Sequence, residues 1–183
     1  MKKLLLALLI AVSAPAFADK FIVERSFVDD LASPNNANAL YMKGVIDVNK
    51  NLAVDASLQT TQVDNTHTIS SRGDIGVIPK FNVYGPVNGY TRVAIGEKYS
   101  SSGSFAFYSI EPGVNANLGY GFTGQVGWRF RNAFNTANND TTRTWRTGVS
   151  YDVTKKDTVG IRLDNVRGDQ QQNIWNLNYA RSF

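Results

Sequence analysis

Cysteine is absent, histidine occurs once, and no stretch after Ala18 approaches the roughly 18 unbroken apolar residues of a membrane helix. The first absence excludes disulfide staples, thiolate metal sites and a lipid-modified N-terminal cysteine. The second leaves His67 without the companions that a histidine metal centre needs. The third excludes helical membrane spans, which need about 20 apolar residues each. Charge of one sign is also scarce. The formal net charge is +4, and two of those charges, Lys2 and Lys3, belong to the N-terminal segment discussed next. So small an excess gives no footprint for a nucleic-acid partner.

The N-terminal segment reads MKKLLLALLIAVSAPAFADK. Two lysines, an apolar run from Leu4 to Val12, and the small-residue site Ala16-Phe17-Ala18 are the three parts of a secretory signal. The apolar run is too short to span a bilayer. Residues 1–18 are therefore expected to be a cleaved signal peptide and residues 19–183 a single exported domain.

Helical periodicity is nearly missing from that domain, whereas alternation recurs throughout. Ten strands are expected, at 20–28, 38–48, 52–62, 74–84, 90–99, 104–117, 121–133, 142–152, 157–165 and 172–183, with eight as the alternative count. In GFTGQVGWRF, for example, Phe122, Val126, Trp128 and Phe130 alternate with Thr123, Gln125, Gly127 and Arg129. Tight joints at Asn49-Lys50-Asn51, near Asn88-Gly89, at Gly119-Tyr120-Gly121 and at Lys155-Lys156-Asp157 use turn residues, and polar joints that are mostly longer lie between them. This describes an antiparallel up-and-down meander. Each strand has one apolar and one polar or glycine-rich face. Aromatics fall near strand ends: Tyr99, Phe134, Trp145 and Trp175 toward one rim, and Phe122, Tyr151 and Phe183 toward the other. Spans of this length suit tilted bilayer strands of ~9–11 residues. Closure without edges, apolar outside and polar inside, favours an all-β transmembrane barrel. Strand 1 is ambiguous, since FIVERSFV puts either Glu24 or Arg25 on the lipid side.

The chain ends NIWNLNYARSF, in which Trp175, Leu177, Tyr179 and the terminal Phe183 alternate, with Arg181 the one departure. This ending, together with the signal peptide, resembles the assembly signal of bacterial outer-membrane barrels, of the small OmpA- and OmpX-like class. The resemblance implies a Gram-negative outer-membrane location, contact with outer-membrane lipid, and recognition of the last strand by the barrel-assembly machinery.

Catalysis has little support. His67 stands near Asp64, Ser70 and Ser71, but the Ser/His spacing fits neither the omptin proteases nor the lipid A-modifying barrel enzymes, and no paired acids stand on facing loops. No metal-ligand cluster and no phosphate-cradling glycine loop occurs, so neither enzyme activity nor a cofactor is expected. Arg-Gly-Asp occurs twice, at Arg72-Gly73-Asp74 and Arg167-Gly168-Asp169, both expected in outer loops. A surface adhesin acting through these loops is therefore the alternative function.

The inward face is the informative constellation. Alternation sends Lys43, Lys80, Arg92, Lys98, Arg129, Arg131, Arg146 and Arg162 into the lumen, with Asp47, Asp55, Glu111, Asp152 and Asp164. Eight bases face five acids. Either they pair and fill the barrel, which is narrow at this strand number, or they line a narrow pore favouring small anions. Hairpin centres near Ser101-Ser102, Tyr120, Ala137-Asn138 and Lys155-Lys156 give a cross-strand ladder Arg92–Glu111–Arg129–Arg146–Asp164. The expected role is structural or that of a small porin.

Overall fold

The computed structural model describes residues 18–32, 36–64, 66, 68–101, 103–138 and 140–183. Most of the expected signal peptide and His67 lie outside the described residues. Ten strands follow in order: β1 (Lys20–Asp30), β2 (Ala37–Asn49), β3 (Leu52–Val63), β4 (Ile69–Tyr84), β5 (Val87–Ser100), β6 (Gly103–Gly119), β7 (Phe122–Ala133), β8 (Thr142–Asp152), β9 (Asp157–Gly168) and β10 (Gln172–Ser182). Each pairs antiparallel with its sequence neighbours, and β1 pairs with β10 to close the barrel.

Local chemistry makes the tight turns at one end. Asn49 and Asn117 accept the backbone N–H groups of Asn51 (2.8 Å) and Gly119 (2.9 Å) through their side-chain amides. Gly119, Tyr120 and Gly121 all hold positive φ, a conformation that two glycines make accessible. Thr154 caps the β8–β9 turn by accepting from the N–H groups of Lys156 and Asp157. Both chain ends meet at this same rim, where Phe183 N donates to Asp19 O at 3.0 Å.

Burial is inverted relative to a soluble barrel. Ile75, Val77, Val93, Ile95, Trp145, Trp175 and Leu177 are exposed on the outside, whereas Glu24, Asp55, Arg92, Glu111, Arg131 and Asp164 are buried inside. Apolar residues outward and charges inward is the pattern of an outer-membrane barrel, with short turns on the periplasmic side and loops outside. Aromatics mark both rims. Phe122 and Tyr151 pack at 4.8 Å near the turns, and Tyr108, Phe130, Phe134 and Trp128 cluster toward the loops.

Two expectations need correction. Strand β4 begins at Ile69, five residues before the expected start, so Arg72-Gly73-Asp74 is no loop: Arg72 and Asp74 point into the lumen. A polar interior makes Ser70, Arg72 and Asp74 acceptable inward strand residues, which a loop reading overlooks. The β7–β8 register also differs. Arg129 faces Thr144, and Arg146 faces Gly127, two residues from the expected partner. The ambiguity in strand 1 resolves with Glu24 inward and Arg25 outward, its guanidinium 5.2 Å from the centre of the Phe27 ring.

Candidate functional site

A cavity of about 890 Å³ runs through the lumen. Its lining includes Lys20, Asn88 and Asp152 at the turn end and Asp30, Gln170 and Gln172 at the loop end, so one continuous space touches both rims. Charged side chains divide it into levels.

At mid-height two arcs of ion pairs nearly encircle the lumen. In the first, Lys43 meets Asp55 (2.5 Å), Arg92 grips Asp55 through Nε and Nη2 (both 2.7 Å), and Nη2 also reaches Asp74. Ser57 donates to Asp74 at 2.7 Å. In the second, Arg146 Nη1 donates to both Glu111 oxygens at 2.7 Å, and its Nε stands 3.5 Å from Asp164. Arg162 then joins Asp164 (2.7 Å) to Glu24 (2.9 Å). Arg92 lies directly opposite Glu111, so the arcs adjoin with opposite charge. Strand β10 adds Asn176, which is buried and accepts from Ser26 Oγ at 2.7 Å.

Glycines let these pairs cross strands. Gly76 of β4 sits directly opposite Asp55 of β3, and a Cβ there would come within 2.6 Å of Asp55 Oδ1 and 2.9 Å of Arg92 Nε. The bare backbone leaves the channel through which Arg92 of β5 reaches past β4. Gly127 of β7 stands opposite Arg146, and a Cβ there would come within 3.2 Å of the Tyr90 hydroxyl. Gly76→Val should consequently split the first arc and cost about 1–3 kcal/mol through overpacking. A urea unfolding titration of the refolded barrel checks this; an unchanged midpoint would show that Arg92 has another route.

Toward the loops the balance of charge changes. Arg131 is held by Asp140 (2.8 and 2.9 Å), which also receives Lys98 (3.4 Å) and Gln170 (3.2 Å). Asp140 belongs to the β7–β8 connection and is folded into the mouth. Arg129 has no carboxylate within ion-pair distance among the described residues, and its Nε has no hydrogen-bond partner. Among the described residues, Arg72 donates only to the Gln59 side-chain oxygen. Both guanidiniums line the same lumen. Toward the turns, Lys80 pairs with Asp47 at the rim, and Tyr90 lies on Gly113 with its hydroxyl accepting from Gln125 at 3.0 Å. Asp152 accepts from Thr158 Oγ1 at 2.8 Å.

The structure therefore sets the five residues of the expected ladder as follows. Arg92 and Glu111 are neighbours in register, but Arg92 turns to Asp55 and Asp74. Glu111 bonds Arg146 across β7, Arg129 stays outside the pairs, and Arg146 faces Asp164. Glu24, Asp74 and Asp140 complete pairs that alternation left out, Glu24 because its face was ambiguous and the others because they were placed in loops. Outside, Trp175, Leu177, Tyr179 and Phe183 all face away from the lumen, and Arg181 beside them pairs with Asp157 at 3.1 Å. Arg167 and Gly168 end β9 and Asp169 follows, accepting Thr141 N at 2.7 Å. Among the described residues, no three metal-ligating side chains gather.

Comparison with protein-family models and with curated proteins finds no match. Solved structures do match. The barrel is similar to the NanC porin, with a TM-score of 0.60 and 11% identity over 89% of this chain and 100% of that one. It is similar to the KdgM porin in complex with disordered oligogalacturonate, with a TM-score of 0.52 and 10% identity over 90% and 99% of the two chains. The beta domain of the Bordetella autotransporter Brka gives a TM-score of 0.62 at 6% identity, covering 90% and 98%. At such identities the likeness is one of fold, that of outer-membrane β-barrels.

Proposed function

We propose that the protein is a small porin of the Gram-negative outer membrane, giving anions a narrow water-filled path. The observation that carries this reading is the cavity that touches both rims while Arg72 and Arg129 face it without a carboxylate partner. A guanidinium left unpaired in a low-dielectric wall projects its field into the pore and raises the local anion concentration. Below it the ring of closed ion pairs narrows the path without adding much net charge. Two of the fold neighbours are porins, and one of them was solved with oligogalacturonate, an acidic chain, which fits a positively lined path. The test is single-channel recording of refolded protein under a potassium chloride gradient. Discrete openings with a reversal potential toward that of chloride are expected. A silent bilayer would mean a closed barrel.

Export and assembly follow from the two ends of the chain. The signal peptide delivers the chain to the periplasm, and the barrel-assembly machinery reads the outward row of Trp175, Leu177, Tyr179 and Phe183. Deleting Phe183 should lower the amount of heat-modifiable barrel in the outer-membrane fraction several-fold while leaving signal cleavage intact. Equal membrane levels at ordinary expression would remove the terminal residue from that role.

A further inference from the structure

The outer face of the barrel carries few charges, and at one place it sets two of the same sign together. Arg143 of β8 and Arg167 of β9 stand directly opposite each other in the strand register. Their chain neighbours Thr142, Thr144 and Val166 are buried on the lumen side, so both arginines point outward, and both are exposed. Among the described residues neither forms an ion pair. The one side-chain bond of either is from Arg167 Nη1 to its own chain, the Val166 carbonyl at 2.7 Å. Like charges directly opposite on one face of a β-pair are destabilising, and the neighbouring acid Asp169 forms no ion pair with either arginine and accepts the Thr141 N–H at 2.7 Å instead. The turn-end rim is handled differently, since outward Arg181 there has Asp157.

The height of this pair identifies what could lie against it. Next below Arg143 on the outward face of β8 is Trp145, exposed by 61% and level with Trp128 of β7. Phe130 lies directly opposite Arg143, and Trp175 continues the belt on β10. Belts of tryptophan and other aromatics mark the boundary between hydrocarbon and headgroups. The two guanidiniums thus stand at headgroup height on the loop side, which faces the outer leaflet. Guanidinium forks match phosphate oxygens bidentately.

We propose that Arg143 and Arg167 form a site for the phosphate of an outer-leaflet glycolipid, whose acyl chains run down the outward face past Trp145, Leu163 and Leu177. The phosphate cancels the like-charge pair, and the aromatic belt fixes its height. The proposal is independent of whether the lumen conducts.

Native mass spectrometry of the refolded protein in micelles tests it, using phosphorylated lipid A and the same lipid stripped of phosphate. Wild type should retain the phosphorylated lipid at concentrations at least tenfold lower than the stripped one. R143Q/R167Q should lose that preference while remaining a heat-modifiable barrel, and R143K/R167K should keep part of it. R143Q alone, which leaves Arg167 on its carbonyl, should cut the preference at least threefold and serves if the double variant does not fold. Equal retention of the two lipids by wild type, or an undiminished preference in R143Q, overturns the proposal. Displacement of the lipid by millimolar inorganic phosphate would assign the pair to free anions and overturn the lipid assignment.

Discussion

Replacing Glu111 with alanine should lower the unfolding free energy of the barrel by about 3 kcal/mol, the lower part of the range for breaking a buried ion pair, because a wet lumen screens part of the loss. Glu111 is buried and receives two 2.7 Å bonds from Arg146, and Arg129 lies on the neighbouring strand with no acid of its own. Removing the carboxylate leaves Arg146 only Asp164, at 3.5 Å, which is already shared with Arg162. Glu111→Gln, which keeps the volume, should lose most of the same stability if charge is the cause. Double-mutant analysis with Arg146→Met isolates the pair: the double variant should be less destabilised than the sum of the single ones. Additive effects in denaturant titrations would show that the two side chains do not depend on each other.

The fold was largely legible because a barrel with a wet interior writes its two faces into the chain. β7 and β8 show this plainly: Phe122, Val126, Trp128 and Trp145 face outward, while Gln125, Arg129 and Arg146 face inward, as alternation requires. The start of β4 was hidden by the same principle. Ser70, Arg72 and Asp74 look like a loop only when polarity is equated with solvent, whereas here they face a polar lumen. The pairing of charges was less legible. Shifting a strand by one residue turns every side chain to the other face, but shifting it by two changes no face at all. Alternation therefore leaves the partner of Arg146 open between Arg129 and Gly127. Loop chemistry settles it: Asp140 is drawn into the mouth by Arg131 and Lys98, and β8 then starts with Thr142 opposite Arg131. Long side chains add a second freedom. Arg92 turns away from its in-register neighbour Glu111 to reach Asp55, because Gly76 leaves the way across β4 clear. Periodicity assigns faces, and glycines and loops assign partners.

Reversing the two unpaired arginines, Arg72→Glu with Arg129→Glu, should turn the path from anion-favouring to cation-favouring. The pair suits this experiment because neither side chain holds an ion pair among the described residues. A new carboxylate at 129 would have the guanidinium donors of Arg146 and Arg131 close at hand, beside the acids Glu111 and Asp164. The barrel should accordingly still fold, with an unfolding midpoint near that of wild type. Arg92→Glu is the contrasting variant: its guanidinium neutralises Asp55 and Asp74, and its reversal would place three carboxylates together and prevent folding. In the double variant the field at the loop-side part of the lumen changes sign while the mid-height ring stays intact. A change of about 1.4 kcal/mol in the energy of a transiting ion alters its relative permeation tenfold, and two reversed charges facing each other across a confined path should reach that size. The reversal potential in a potassium chloride gradient should then move from the chloride side to the potassium side, with conductance of similar magnitude. If the permeability ratio stays that of wild type, the unpaired arginines do not set selectivity, and the control must lie in the ion-pair ring below them.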